Sequence, residues 1–136
     1  MVEMNITYLG QLRCEAVHGP SGTKIITDAP VDNCGRGEAF SPTDLTCASL
    51  ATCILTTMGI KAQQLDLNLE GMRAKVSKEM SSTPPRRIAR ILIDLHLPAR
   101  VGLDLRPRIE SLVQACPVHR SLNAGVHVDV RTFWDA

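Results

Sequence analysis

Residues 40–61 read FSPTDLTCASLATCILTTMGIK, and they predict the long helix around which the rest of the chain is organised. Ser41 suits the N-cap of a helix, Pro42 suits its first position, and Asp44, three residues after the serine, completes a capping-box pattern. Hydrophobic residues then recur at helical spacing, and the predicted buried stripe consists of Leu45, Ala48, Ala51, Leu55, Met58 and Ala62. Many of the intervening residues are β-branched and indifferent helix formers, so we expect packing to stabilise one long central helix.

The composition indicates a globular protein without affinity for nucleic acid or membranes. The chain has 136 residues, 44% of them hydrophobic and 21% charged, which suits a single domain spanning residues 1–136. The net charge is +1 and the aromatic residues are one Trp, one Tyr and two Phe, so we expect neither a basic surface nor a base-stacking platform. The sequence shows no signal-peptide pattern and no apolar run of about 18 residues, so we expect no membrane span.

The cysteine pattern favours a reducing compartment. The five cysteines have irregular spacing and no CxxC pair, which fits a cytoplasmic protein better than a secreted disulfide framework. Together with the four histidines they match no common zinc-site spacing, and no glycine-rich phosphate-binding motif is present. We therefore expect no metal site and no cofactor.

Short patterned segments on both sides of the central helix predict two groups of strands. Strand candidates, turn-bounded or alternating in polarity, fall at residues 6–9, 13–17, 24–27, 67–76, 89–97 and 126–130. Further helices are predicted at residues 105–114 and from Pro117 onward, and residues 28–38 are predicted to be a loop. The resulting order, βββ-α-ββ-αα-β, predicts an α+β fold with antiparallel sheets rather than a wound parallel sheet.

Two cysteines on the central helix differ in their predicted surroundings. At about 100° per residue, Cys47 lies away from the apolar stripe, whereas Cys53 lies on the shoulder of the stripe and is expected to be half buried. Cys53 lies in the middle of the helix, so it needs a cation from elsewhere in order to ionise. The alternative interpretation of Cys53 is a small buried hydrophobic residue.

The sequence CPVHR at residues 116–120 supplies a second candidate thiol. Cys116 is expected at the N-cap of a helix, where the positive end of the helix dipole and nearby cations favour a thiolate. On these local grounds we predict Cys116 to be more acidic than Cys53. The alternative is that Cys116 is a plain capping residue and His119 a surface residue.

These motifs together resemble the OsmC/Ohr family of thiol peroxidases. The motifs are SPTDL followed by CASLATC on one helix, and ACPVHRSL near the C-terminus. In that family the reactive cysteine follows the helix-opening proline by eleven residues, as Cys53 follows Pro42, and the second cysteine begins a Cys-Pro motif, as Cys116 does. The segment DAPVDNCGRGEAFSPTDL also resembles the loop that leads into the central helix in an OsmC-like branch.

The resemblance implies an intertwined homodimer in which antiparallel sheets wrap around the long helix. It implies that Cys53 attacks the O–O bond of an organic hydroperoxide and becomes a sulfenic acid. Cys116 then resolves the sulfenic acid as a disulfide, which an external dithiol reduces, and no cofactor takes part. Cys14, Cys34 and Cys47 match no motif of the family.

One position departs from the family pattern. Thr43 stands where the peroxidases have a Glu that orients an activating arginine. Arg13 is the first candidate for that arginine, because the Ohr branch takes it from the N-terminal region, and Arg36 is the second. Leu55 and Met58 are candidates for the lining of a hydrophobic substrate pocket.

Two other functions remain open from the sequence. The same fold could serve a non-enzymatic protein that binds a small molecule or an acyl chain, with Leu55 and Met58 lining the binding cleft. An acyl-transfer enzyme that uses Cys116 with His119 is the third reading, and it needs an oxyanion hole and a base at the correct distance.

Overall fold

The computed structural model describes all residues from 1 to 136, which divide into two units, residues 1–46 and 47–136. The strands are β1 Met4–Gly10, β2 Arg13–His18, β3 Lys24–Asp28, β4 Arg73–Met80, β5 Ile88–His96 and β6 His127–Phe133. The α-helices are α1 Pro42–Gln64, α2 Arg106–Glu110 and α3 Pro117–Ser121, with 3₁₀ turns at Val31–Asn33 and Ser111–Ala115. This order confirms the predicted βββ-α-ββ-αα-β arrangement and the α+β class. That the chain is a single domain stays a prediction.

The unit of residues 1–46 contains an antiparallel sheet in the order β1-β2-β3. Gln11 and Leu12 connect β1 to β2 with φ angles of 52° and 62°. Two successive residues with positive φ match the right-handed twist of the strands they join, which is why such turns are common in hairpins. The register places Ile6, Ala16 and Ile25 side by side across the three strands.

The start of α1 confirms the predicted capping box. The backbone N–H of Ser41 donates to Oδ2 of Asp44 at 2.9 Å, and the backbone N–H of Asp44 donates to Oγ of Ser41 at 3.0 Å. These reciprocal bonds satisfy two donors that a helix start otherwise leaves without partners, and a serine cap is worth about 1 kcal/mol. The capping box therefore fixes where α1 begins.

The buried side of α1 is rotated from the predicted stripe. Its buried residues are Cys47, Leu50, Ala51, Ile54, Met58 and Ala62. Leu45, Ala48 and Leu55 are only partly buried, and the prediction that Cys47 faces away from the core is wrong, since Cys47 is 3% exposed. The helix is apolar around most of its circumference, so spacing alone selects its buried face poorly.

The unit of residues 47–136 contains a sheet in the order β4-β5-β6. β4 and β5 are antiparallel, but β5 and β6 are parallel, so the prediction of purely antiparallel sheets is wrong. The long connection through α2 and α3 carries the chain from the end of β5 back to the edge of the sheet where β5 begins. Parallel strands require a crossover connection of this kind. Ile91, Ile93 and Leu95 of β5 are completely buried and alternate along the strand as predicted.

Two element boundaries differ from the sequence prediction. β4 begins at Arg73, so Leu67 and Leu69, which the prediction placed in this strand, lie before it. The helix expected over residues 105–114 ends as an α-helix at Glu110 and continues as the 3₁₀ turn. Ile109 and Val113, which were predicted to share the buried side of this helix, are both buried in the core.

By length and composition α1 also qualifies as a possible membrane-spanning helix, which the sequence analysis overlooked. The core helix of a soluble protein meets the same criterion. Here Leu50, Ile54 and Met58 have no exposed surface and belong to one core cluster with Ile91 and Ile93 of β5. The buried share of this apolar segment, 33%, therefore belongs to the core that α1 helps to form.

Candidate active site

α1 and α3 bring the thiols of Cys53 and Cys116 within hydrogen-bond contact, in the unit of residues 47–136. Cys53 lies in the middle of α1, and Cys116 is the N-cap residue of α3. The family resemblance implied that Cys53 and Cys116 act together, and the fold brings both of them into one site. No group of three or more His, Cys, Asp or Glu side chains is arranged to hold a metal ion.

The first turn of α3 supplies hydrogen-bond donors to both sulfur atoms. The backbone N–H of His119 donates to Sγ of Cys116 at 3.5 Å, which confirms Cys116 as the N-cap. The backbone N–H of Val118 is a donor to Cys53 and also contacts Cys116. Pro117 occupies the first helical position, where a backbone N–H would have no partner within the helix, and proline has no N–H to leave unpaired. The hydroxyl of Thr57 donates to Cys53 from one turn further along α1.

The two thiols differ in their access to solvent. Cys116 is 0% exposed, whereas Cys53 is half buried and keeps part of its surface open. The half-buried position that the helix geometry predicted for Cys53 is therefore confirmed. Of the two cysteines, Cys53 is therefore the one with surface open to a dissolved reactant.

Hydrogen bonding makes Cys53 the more acidic thiol. Burial, the largest single influence, raises the pKa of Cys53, but donation from Cys116, Val118 and Thr57 together outweighs it and lowers the pKa below the ordinary thiol value. Burial raises the pKa of Cys116, and its own donation to Cys53 raises that pKa further. The prediction that Cys116 is the more acidic thiol is wrong, because the cap position alone does not offset burial and the neighbouring sulfur.

Comparison with known proteins identifies the family. A family model described as OsmC-like protein matches residues 35–131. The chain belongs to the OsmC-like protein family. The match confirms the resemblance drawn from the motifs around Cys53 and Cys116. A comparison with curated proteins gives no match.

Solved structures show how closely this OsmC-like protein follows the family fold. A Psychrobacter arcticus 273-4 protein, provisionally named an osmotic stress induced and detoxification response protein, is 39% identical with a TM-score of 0.91, over 98% of this chain and 96% of that chain. An organic hydroperoxide resistance protein OsmC from Legionella pneumophila is 16% identical with a TM-score of 0.77, over 97% of this chain and 96% of that one. An organic hydroperoxide resistance protein from Elizabethkingia anophelis is 12% identical with a TM-score of 0.77, over 100% and 96% of the two chains. The last two likenesses show the shared fold.

Sequence reasoning missed two contributors to the site of this OsmC-like protein. Thr57 follows Cys53 by four residues, so the two side chains lie on the same face of α1. That spacing was a usable signal for Thr57. Val118 contributes through its backbone N–H, and no side-chain pattern reveals a backbone donor. Its role follows only from the position of α3.

Replacing Thr57 by Val is expected to raise the pKa of the Cys53 thiol, because the isosteric side chain cannot donate the hydroxyl hydrogen bond. The rate of Cys53 alkylation by iodoacetamide at neutral pH should fall by about ten- to a hundredfold, since one hydrogen bond to a charged group contributes about 1.5–3 kcal/mol. The measurement is the pH dependence of alkylation, followed by peptide mapping.

Thr56→Val is the matched control for that experiment. Thr56 is the neighbouring residue on α1, is exposed, and does not contribute to the pKa of Cys53. Its alkylation profile should remain that of the wild type. Equal effects of the two substitutions would assign the change to the helix and not to the Thr57 hydroxyl.

Arg13 and Arg36, the two candidate activating arginines, belong to the unit of residues 1–46. Arg13 lies between two carboxylates, with its Nη2 atom 3.0 Å from Glu38 and 3.6 Å from Asp28. Asp28 is 1% exposed and also accepts the backbone N–H of Glu38 at 3.0 Å. Arg36 is more exposed and contacts Gln11 and Glu38. Arg13 is therefore the more firmly held cation, and its assistance to Cys53 stays a prediction.

The remaining sequence candidates occupy different surroundings. Leu55 is partly buried against the core, and Met58 has no exposed surface in this structure. Their role as pocket lining stays a prediction.

His119 and Thr43 lie in other surroundings. His119 lines an open cavity of about 300 Å³ with Gln114, Leu122, Asn123, Ala124, Val126 and Val128. Thr43 hydrogen-bonds to Ser41 at the start of α1, with 3.1 Å between the hydroxyl oxygens.

Proposed function

We propose that this OsmC-like protein is a thiol-dependent peroxidase that reduces organic hydroperoxides. The observation that carries the proposal is the contact between Cys53, which is partly exposed and has a lowered pKa, and Cys116, which is fully buried and has a raised pKa. An accessible thiolate beside a second thiol is the arrangement of a cysteine that is oxidised and then resolved. Two proteins of the same fold are named organic hydroperoxide resistance proteins, which supports the same chemistry here.

The first step is nucleophilic attack by the Cys53 thiolate on the outer oxygen of the hydroperoxide. The O–O bond breaks, the sulfur becomes a sulfenic acid, and the alkoxide leaves and takes up a proton to give the alcohol. The hydrogen bonds from Cys116, Val118 and Thr57 lower the pKa of Cys53 and so favour its thiolate before the attack.

The second step joins the two cysteines. The Cys116 sulfur attacks the sulfenic sulfur of Cys53, water leaves, and a disulfide forms. Cys116 already donates a hydrogen bond to Cys53, so little movement is needed. An external dithiol then reduces the disulfide, accepting the two oxidising equivalents. No metal or organic cofactor enters this cycle.

We also propose that the protein acts as a homodimer. Met4, Ile6 and Tyr8 of β1 and Ile25 of β3 are exposed by 60, 63, 63 and 46%. The register of the sheet places Ile6 and Ile25 in the same row, so these side chains form one apolar face. An exposed apolar face of this kind marks a docking surface, and a second copy of the chain is the partner that the family resemblance implies. Sedimentation equilibrium measures that assembly.

A reducing compartment suits the proposed cycle. No disulfide joins any of the five cysteines. A cytoplasmic location would supply the dithiol that the cycle needs and would keep Cys14 and Cys34 reduced. The proposal therefore places the protein in the cytoplasm.

One equivalent of cumene hydroperoxide should remove two hydrogen atoms from the reduced wild-type protein and create a Cys53–Cys116 disulfide. Intact mass followed by disulfide mapping measures both changes. An unchanged mass after long exposure would overturn the peroxidase proposal and favour the small-molecule or acyl-chain binding protein. A gain of oxygen without the disulfide would retain Cys53 as the nucleophile and remove Cys116 as its resolving partner.

A further inference from the structure

The proposed cycle leaves open which sulfur of the disulfide the external thiol attacks. Thiol–disulfide exchange proceeds in line, so the incoming thiolate approaches the attacked sulfur from the side opposite the S–S bond. The outcome decides which cysteine carries the mixed disulfide with the reductant. Burial separates the two choices in this structure.

Cys116 is enclosed on every side. It is 0% exposed and belongs to the core cluster that includes Ile109 and Val113, and its backbone is fixed as the N-cap of α3. A thiolate that attacked Cys116 would have to enter this core and leave its own hydration behind, which is costly for a charged group. Cys53 keeps exposed surface, so a thiolate reaches it from solvent.

The environment of Cys116 also suits a leaving sulfur. When the S–S bond breaks by attack at Cys53, the electron pair of that bond goes to the Cys116 sulfur. The backbone N–H of His119 donates to Cys116 at 3.5 Å from the first turn of α3, so the departing thiolate has a donor in place. Burial then favours its protonation, and the neutral thiol is a poor nucleophile for reversing the step.

We propose that the external reductant attacks Sγ of Cys53 and that Cys116 is the leaving group. The reductant thiolate forms a bond to Cys53, the Cys53–Cys116 bond breaks, and the Cys116 thiolate takes up the proton that the reductant thiol lost on ionising. The second thiol of a dithiol then attacks the reductant's own sulfur, which closes a cyclic disulfide and releases the Cys53 thiolate. The inference rests on the proposed function, since it needs the Cys53–Cys116 disulfide.

This assignment explains why a dithiol suits the site. The last bond to break joins the reductant to Cys53, and a sulfur of lowered pKa is the faster leaving group in thiol–disulfide exchange. A monothiol lacks the second sulfur that performs this step. With a monothiol, the mixed disulfide on Cys53 should therefore accumulate.

The test starts from wild-type protein oxidised with diamide, so that it does not depend on hydroperoxide turnover. The oxidised protein is treated with 2-mercaptoethanol, quenched in acid during the first turnover, and mapped by peptide mass spectrometry. We expect the adduct on Cys53 to exceed that on Cys116 by about tenfold or more, because access governs exchange rates. An adduct on Cys116, or equal amounts on both cysteines, would overturn the inference. Failure of diamide to produce the Cys53–Cys116 disulfide would overturn it as well.

A matched pair of variants gives an independent readout. Cys116→Ala and Cys53→Ser are each treated with the disulfide of 2-mercaptoethanol, and peptide mapping follows the mixed disulfide on the cysteine of the pair that remains. Cys53 in Cys116→Ala should acquire the adduct faster than Cys116 in Cys53→Ser, because only Cys53 has surface exposed to solvent. The reverse order would contradict the inference. A separate hydroperoxide assay on the wild type tests the proposed function, so the two failures are distinguishable.

Discussion

Replacing Cys53 by Ser is expected to abolish hydroperoxide turnover. The serine hydroxyl is not ionised at neutral pH and cannot replace a thiolate in attack on the O–O bond. Loss of a nucleophile typically lowers turnover by several orders of magnitude, so we expect a decrease on the order of 10³-fold or more. The measurement is consumption of cumene hydroperoxide with dithiothreitol as the reductant.

Cys47→Ala is the control for the Cys53 substitution. Cys47 lies on the same helix, two turns earlier, and is buried in the core with 3% of its surface exposed. The smaller side chain should cost about 1 kcal/mol of stability and leave turnover nearly intact. Urea denaturation of both variants separates unfolding from chemistry. Equal loss of turnover in two folded variants would contradict the assignment of the reaction to Cys53.

Replacing Cys116 by Ala is expected to stop the cycle after the first oxidation. Cys53 still attacks the hydroperoxide, but no neighbouring thiol is present to condense with the sulfenic acid. The mass after one equivalent of hydroperoxide should therefore increase by one oxygen atom, where the wild type loses two hydrogen atoms. Alanine is chosen because Cys116 is completely buried and a serine hydroxyl there would lack a guaranteed partner.

The Cys116→Ala variant has a second expected property. The pKa of Cys53 should rise, because donation from Cys116 is the strongest of the hydrogen bonds that lower it. The initial oxidation should accordingly be slower at neutral pH than in the wild type. Cys34→Ser, at an exposed cysteine, serves as the control and should behave as the wild type. A disulfide in Cys116→Ala that links Cys53 to another cysteine would assign the resolving role elsewhere.

Local signals in the sequence predicted the framework of the fold. The capping box of Ser41 and Asp44 fixed the start of α1, because both partners lie within one turn and need no tertiary information. The alternation in β5 was equally reliable, since Arg90, Asp94 and His96 fall on the opposite face of the strand from Ile91, Ile93 and Leu95, which are buried. Both patterns depend only on residues within the same element, so the sequence of that element is enough to predict them.

Local sequence patterns could not predict the features that depend on tertiary contacts. The buried face of α1 includes Leu50 and Ile54, which a uniformly apolar helix does not distinguish from Leu45 and Leu55. The parallel pairing of β5 and β6 depends on where a helical connection returns the chain, and no residue in either strand encodes that direction.

The candidate site shows the same division. The position of Cys116 at the N-cap of α3 was predictable from CPVHR, but its acidity was not. The dipole argument considered only the helix, whereas burial and donation to Cys53 raise the pKa of Cys116. The pairing of the two cysteines followed from the family resemblance, because their separation in the chain gives no local indication of contact.

The parallel pairing of β5 and β6 also affects the time course of folding. β4 and β5 are joined by the short segment of residues 81–87 and can pair as a hairpin, whereas Ile91 of β5 is in register with Val128 of β6, across the connection that contains α2 and α3. The entropy lost in closing a loop grows with its length, and distant contacts slow folding, so β6 is expected to join the sheet after the hairpin forms. Cys116 lies inside that connection. A chain in which that connection has not yet closed is therefore expected to carry Cys53 without its partner.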